Sequence, residues 1–146
     1  MTERQRIASG SPFESTIGFS RAMRVGDVGD RVLVSGTGPV VADGRCPDDA
    51  GAQARRCFEI IAAALDEAGA SLDDVVRTRM YLTSADDADA VGTVHGELLG
   101  YVRPAATMVV VAGLLDPAWK VEIEAEAVVP DRARATATAR GQGPLH

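Results

Sequence analysis

Apolar residues recur along this chain with two different periods, and the change of period marks its elements. From Val75 to Leu82 the pattern alternates, with Val76, Thr78, Met80 and Leu82 on one face and Arg77, Arg79 and Tyr81 on the other, which predicts a strand with one polar face. Trp119 to Val129 behaves likewise, Val121, Ile123, Ala125 and Ala127 alternating with Glu122, Glu124 and Glu126. Shorter strands are predicted at Arg21–Val25 and Arg31–Gly36. The turn at 26–30 between them and a second turn at Asp43-Gly44 suggest an antiparallel opening. Ala54, Cys57, Phe58, Ile61, Ala62 and Leu65 follow the 3.6-residue period of a helix, which Asp48 or Asp49 would cap and Gly69 would end. Ser84 opens a second helix with Ala88, Val91, His95 and Leu98 on one stripe and Gly100 near its end; a further strand is expected near Thr107–Ala112. The order is ββαβαββ, an α+β domain with its helices on one side of a sheet.

One run goes beyond a single chain. Met108 to Ala112 are consecutive apolar strand residues, a pattern of burial on both faces, yet two helices cover only one face of such a sheet. The other face calls for a second copy, and a homo-oligomer is expected. Residues 1–15 and 131–146 are polar and unpatterned, and are expected to be a flexible N-terminal segment and a disordered tail flanking one domain at 16–130.

Length and charge narrow the function. A chain of 146 residues, 46% hydrophobic, suits one globular domain with a real core. Its net charge of -6 offers no attractive field to phosphate backbones or anionic lipid, so neither nucleic acid nor membrane is expected as a partner. No apolar run approaches the roughly 18 residues of a membrane span or resembles a secretory signal. Cys46 and Cys57 form no Cys-x-x-Cys pair, which suits a reducing, cytoplasmic setting, and no metal site is expected.

Three places could carry chemistry. Glu122, Glu124 and Glu126 share one strand face at spacings of roughly 7 Å, so they must be solvated or paired. Arg77 and Arg79 are natural cross-strand partners; alternatively one glutamate lies in a cleft and moves a proton. Ser35-Gly36-Thr37-Gly38-Pro39 brings hydroxyls and glycines to the end of a strand, as a hairpin exit or as backbone N–H groups presented to an anion. It lacks a nucleophile elbow and the third glycine of a dinucleotide fingerprint. His95, on an apolar stripe, reads as a hydrogen-bonded structural histidine.

The runs VLVSGTGPVVADGR (32–45), QARRCFEIIAAALDEAGASLDDVVRTRMYLT (53–83) and RPAATMVVVAGLLDPAWKVEIEAEAVV (103–129) resemble the Rid family (RidA/YjgF, reactive intermediate deaminases) over about residues 17–130. The most specific matches are Ser35-Gly36, Gln53-Ala54-Arg55 and Val121 to Ala125. The resemblance implies a chorismate-mutase-like α+β subunit with a mixed sheet, a homotrimeric barrel and ligand clefts between subunits. It also implies cofactor-independent hydrolysis of short-lived enamines and imines, with Glu122 near the attacking water. Phe19, Arg21, Ser35, Gly36, Thr37, Ala106 and Thr107 would contact the substrate. The family's carboxylate-binding arginine is the third residue of a Pro-Ala-Arg segment; here Pro104-Ala105-Ala106 puts alanine there. Arg103, an odd number of residues away, would face the other side of a strand. Losing a bidentate charged pair weakens carboxylate binding roughly ten- to several-hundred-fold. Three alternatives follow: a substrate without a carboxylate, a cation supplied by Arg21 or Arg79, or a noncatalytic trimer binding a metabolite or a partner enzyme. The family's association with RNA cleavage is disfavoured by the acidic charge.

Overall fold

The alternating segments assemble into a four-stranded mixed sheet with two helices packed on one face. The computed structural model describes residues 4–26 and 29–129; the tail at 131–146 lies outside the described residues. The elements are β1 (Arg4–Ile7), β2 (Ala22–Val25), β3 (Asp30–Thr37), α1 (Ala50–Glu67), β4 (Val75–Leu82), α2 (Ala88–Leu99), β5 (Ala105–Val110) and β6 (Val121–Val129). The sheet order is β3-β6-β4-β5. β4 and β5 run parallel, joined through α2, and β6 is antiparallel to β3 and β4.

The opening differs from the expected one. Arg4–Ile7, within a segment without pattern, forms a strand antiparallel to β2, so the order is βββαβαββ rather than ββαβαββ. The predicted pairing of 21–25 with 31–36 is replaced by β1 with β2 and β3 with β6. RQRI offers no alternation to read; it is held by backbone ladder bonds and by Arg4 and Arg6, which donate to the carbonyls of Asp73 and Tyr101 at 2.8 Å each.

The helices form where their ends can be satisfied. Asp49 is the cap of α1, its carboxylate accepting from the Ala52 N–H at 2.8 Å. At the other end the Ala70 N–H reaches the Leu65 carbonyl and the Gly69 N–H that of Asp66, with Gly69 at φ +81°, a left-handed closure that suits glycine. Ser84 caps a short 3-10 turn at Ala85–Asp87, and α2 starts only at Ala88. The fully buried stripe of α2 is Val91, Val94, His95 and Leu99; Ala88 and Leu98 flank it, only partly covered.

Helices and sheet enclose one core, with Phe58, Ile61 and Leu65 of α1 against Met80, Leu82, Val121 and Ile123. A bulge near the start of β4 sets two residues of that strand against one of β6, so Val75 rather than Val76 joins Thr78, Met80 and Leu82 inside. The other sheet face carries the glutamates and arginines. β5 is an edge strand whose Val109 and Val110 stay exposed, at 41% and 55%, so the second cover implied by its apolar run does not come from the described residues.

Candidate functional site

The polar sheet face sorts its three glutamates into three different environments. In the β4–β6 register Arg77 stands opposite Glu126, Arg79 opposite Glu124 and Tyr81 opposite Glu122. Glu126 is paired twice, with Arg31 at 2.7 Å and Arg79 at 3.3 Å. Glu124 accepts a short hydrogen bond from the Tyr81 phenol and lies 3.9 Å from Arg79. Glu122 makes no hydrogen bond or ion pair among the described residues. Arg77 joins none of them: its Nη2 donates to the Thr107 hydroxyl at 2.9 Å, and its buried Nε lacks a partner among the described residues. Cross-strand pairing therefore accounts for Glu124 and Glu126 and leaves Glu122 over.

Glu122 lies in an open cleft of about 310 Å³, lined also by Gly36, Tyr81, Glu124 and, from the loop after β5, Val111, Gly113 and Leu114. It can sit there because residue 36 is glycine. A Cβ at that position would stand 2.2 Å from the Glu122 Oε2, so the carboxylate lies directly against the backbone of β3. A second bulge, within Val34–Thr37, brings that backbone close. Two carboxylates, one phenol and apolar walls suit a small polar ligand, with one acid unpaired and able to orient water. The bond to Glu124, with burial second, raises the Tyr81 pKa above the ordinary phenol range, so Tyr81 stays a neutral donor near pH 7.

The rim of the cleft is tied down from behind. The buried Gln53 side chain donates to the carbonyls of Pro47 at 2.8 Å and Ala118 at 3.0 Å and accepts from the Lys120 N–H at 2.7 Å, two residues before Glu122. The Trp119 ring lies so close to Gly38 that a Cβ there would fall 2.6 Å from it. One glutamine and one aromatic ring thus fasten the loops on both sides of Glu122.

The other expected site residues lie elsewhere. Ser35 is exposed beside Gly36, and the Thr37 hydroxyl turns back to the Ser35 carbonyl at 2.8 Å. Phe19 and Arg21 flank Ser20, which bridges to Ala105, so they line the free side of β5; the Arg21 guanidinium sits 5.7 Å over the Phe19 ring. Ala106 is paired with Thr78 and packs toward the core, on the helix side of the sheet, while Thr107 faces the Arg77 side. The two groups occupy opposite edges of the sheet, three strand spacings or roughly 14 Å apart. One small ligand cannot touch both within a single chain. Sequence reading offered Glu124 only as one of three candidate glutamates and missed Tyr81 and the Val111–Leu114 wall, because only the β4–β6 register and the loop's return bring them to Glu122.

Remaining candidates are structural. His95 is buried, its Nδ1 2.8 Å from the Ile17 carbonyl and its Nε2 2.9 Å from the Thr78 hydroxyl; the carbonyl can only accept, so Nδ1 carries the proton. Burial lowers its pKa and keeps it neutral. Burial likewise pushes the Cys57 thiol up to about 12, which makes it a poor nucleophile. No cluster of His, Cys, Asp and Glu among the described residues could hold a metal, and no helix among them is long and apolar enough to cross a membrane.

Known proteins are similar to this chain in sequence and fold. Residues 10–129 match the family described as Endoribonuclease L-PSP. An uncharacterized protein of Streptomyces coelicolor, SCO2049, is 40% identical over 124 residues, 84% of this chain and 90% of its own. The 2-iminobutanoate/2-iminopropanoate deaminase of Escherichia coli is 32% identical over 106 residues, 70% of this chain and 82% of its own. The crystal structure of Rv2704 from Mycobacterium tuberculosis, of the YjgF/YER057c/UK114 family, superposes with a TM-score of 0.64 at 44% identity, covering 87% of this chain and 100% of that one.

Proposed function

The chain belongs to the endoribonuclease L-PSP family, that of the RidA and YjgF proteins, and from this premise we propose that it is a cofactor-independent hydrolase of reactive enamines or imines other than simple 2-imino acids. The observation that carries the reading is the unpaired Glu122 carboxylate, seated against Gly36 in a cleft of ligand size. An imine carbon is already electrophilic, so its hydrolysis needs a positioned water and a group that takes and returns a proton; one free carboxylate supplies both. The named activity of the Escherichia coli relative supports the reaction class, and Ala106 in place of the family arginine argues against its 2-imino acid substrates.

A complete site requires more than one copy. Phe19, Arg21 and Ala106 sit at the β5 edge and Ser35, Gly36 and Glu122 toward the β3 side, so a homotrimer would join one copy's edge to the next copy's cleft. The net charge of -6 and the acidic cleft speak against RNA as substrate, despite the family's descriptive name.

Glu122→Gln tests the assignment. It keeps the volume and hydrogen-bonding capacity but removes the proton exchange, so turnover of any imine substrate should fall roughly 100- to 10,000-fold with the assembly unchanged. Turnover at the wild-type rate would show Glu122 to be structural. The absent arginine favours a second reading, a noncatalytic binder of a small metabolite or a partner enzyme; there the same substitution alters affinity, and wild type accelerates no imine hydrolysis.

A further inference from the structure

We propose that the cleft is selective for charge and takes a small cationic ligand, a protonated imine or amine that carries no carboxylate and ends in a short apolar group. This rests on the reading of the cleft as the reaction site and names the substrate class for it. Among the lining residues formal charge comes from Glu122 and Glu124 alone, and Val111 and Leu114 supply the apolar wall. The arginines of this sheet face are committed to protein groups: Arg31 to Glu126, Arg79 to Glu126 at 3.3 Å and Glu124 at 3.9 Å, and Arg77 to Thr107. Arg77 also stands four residues along β4 from Tyr81, about 13 Å, too far for a short imino acid to span between it and Glu122. Tyr81 spends its proton on Glu124 and brings no positive charge. The residue at the family's arginine position, Ala106, lies on the other side of the sheet and has no charge to offer.

The glycine at 36 sharpens the argument. Because it lacks a Cβ, the Glu122 carboxylate rests against backbone at the inner wall of the cleft instead of extending into solvent. A carboxylate ligand would meet both carboxylates there, with no cation among the cleft's own lining residues and Arg79 reaching only Glu124, at 3.9 Å. An iminium N–H would instead donate a charge-assisted hydrogen bond to Glu122.

The chemistry balances without an oxidant, a reductant or a metal. As water adds to the iminium ion, its oxygen bonds to carbon, the C=N π pair moves to nitrogen, and Glu122 takes the proton that the water loses. The neutral carbinolamine, with hydroxyl and amino groups on one carbon, takes that proton back on nitrogen. The C–N bond then breaks with its electron pair leaving on ammonia, and the hydroxyl proton passes by way of Glu122 to the ammonia. Overall, one iminium ion and one water become one carbonyl compound and one ammonium ion, and the carboxylate returns to its starting form.

Calorimetric titration of the whole chain with propylamine and with propionate at neutral pH tests the inference apart from catalysis. Propylamine should bind at least about ten-fold tighter, Glu122→Gln should remove most of that preference, and rising salt should weaken the wild-type amine affinity, which keeps the test decisive if the variant folds poorly. In parallel, hydrolysis is followed for a carboxylate-free imine released by an amine oxidase and for a 2-imino acid released by an amino acid oxidase; the first should be accelerated and the second not. Amine preference without acceleration of either imine would uphold the charge selectivity and refute the deaminase reading. Tighter binding of propionate, faster hydrolysis of the 2-imino acid, or no binding of propylamine would overturn the inference. The faster 2-imino acid would leave the deaminase standing and assign the missing cation to Arg21 of a second copy.

Discussion

At the scale of single residues, the seat of Glu122 rests on what Gly36 lacks. Its missing Cβ is the space the Glu122 carboxylate occupies, and the atom that a new methyl group would strike is the far end of a flexible side chain. Gly36→Ala should therefore push Glu122 off its seat at small cost to the fold. We expect turnover to fall as far as in Glu122→Gln, with unfolding free energy within about 1 kcal/mol of wild type by denaturant titration. Full activity in Gly36→Ala would show that the carboxylate need not touch the β3 backbone. Both residues are legible as candidates from the Ser35-Gly36 strand end and the Glu122 to Glu126 alternation. Their relation is not, because the β3 bulge that brings them together depends on tertiary pairing.

Between elements, the long-period signals are the readable ones. The α1 stripe, its Asp49 cap and the Gly69 closure follow from sequence because helix ends are satisfied locally, by residues a few positions away. β1 is not legible, since RQRI carries no alternation and its partner lies some twenty residues on. Loops are the other gap, and here Gln53 is decisive. It faces the core side of α1 yet holds the backbone of two loops through three hydrogen bonds, a role that its helical spacing does not reveal. Gln53→Ala would strip partners from the Pro47 and Ala118 carbonyls and the Lys120 N–H. Buried backbone groups left unpaired cost about 1 to 3 kcal/mol each, partly recovered by entering water, so we expect a loss of about 2 to 4 kcal/mol and a Tm lower by roughly 5 to 15 °C. Hydrogen exchange at the Lys120 amide should accelerate with it. A Tm within about a degree of wild type would mean that the loops hold themselves.

For the whole molecule, the proposed shared site turns on which surfaces the described residues leave uncovered. Leu33 at the β3 edge is 68% exposed, and Val109 and Val110 at the β5 edge are 41% and 55% exposed. Both ends of one sheet thus present apolar residues, and the β5 edge has unpaired backbone groups as well, a combination that favours association over a free monomer. The candidate site residues divide between the same two edges, so contact of one copy's β5 side with the next copy's β3 side would bury the apolar residues and join the two halves of the site at once. Such a contact is heterologous, and in the proposed homotrimer three copies of it would close a ring. We therefore expect sedimentation at low micromolar protein to report a trimer. A charge at its edge, Val109→Glu, should shift the population toward smaller species and abolish turnover while Glu122 itself is untouched. Activity lost in Val109→Glu should return when an excess of Glu122→Gln chains is mixed in, because each variant spoils a different half of the shared cleft and mixed rings contain intact sites. A compact, fully active monomer would overturn this arrangement, and with it the claim that the cleft is completed by a neighbour.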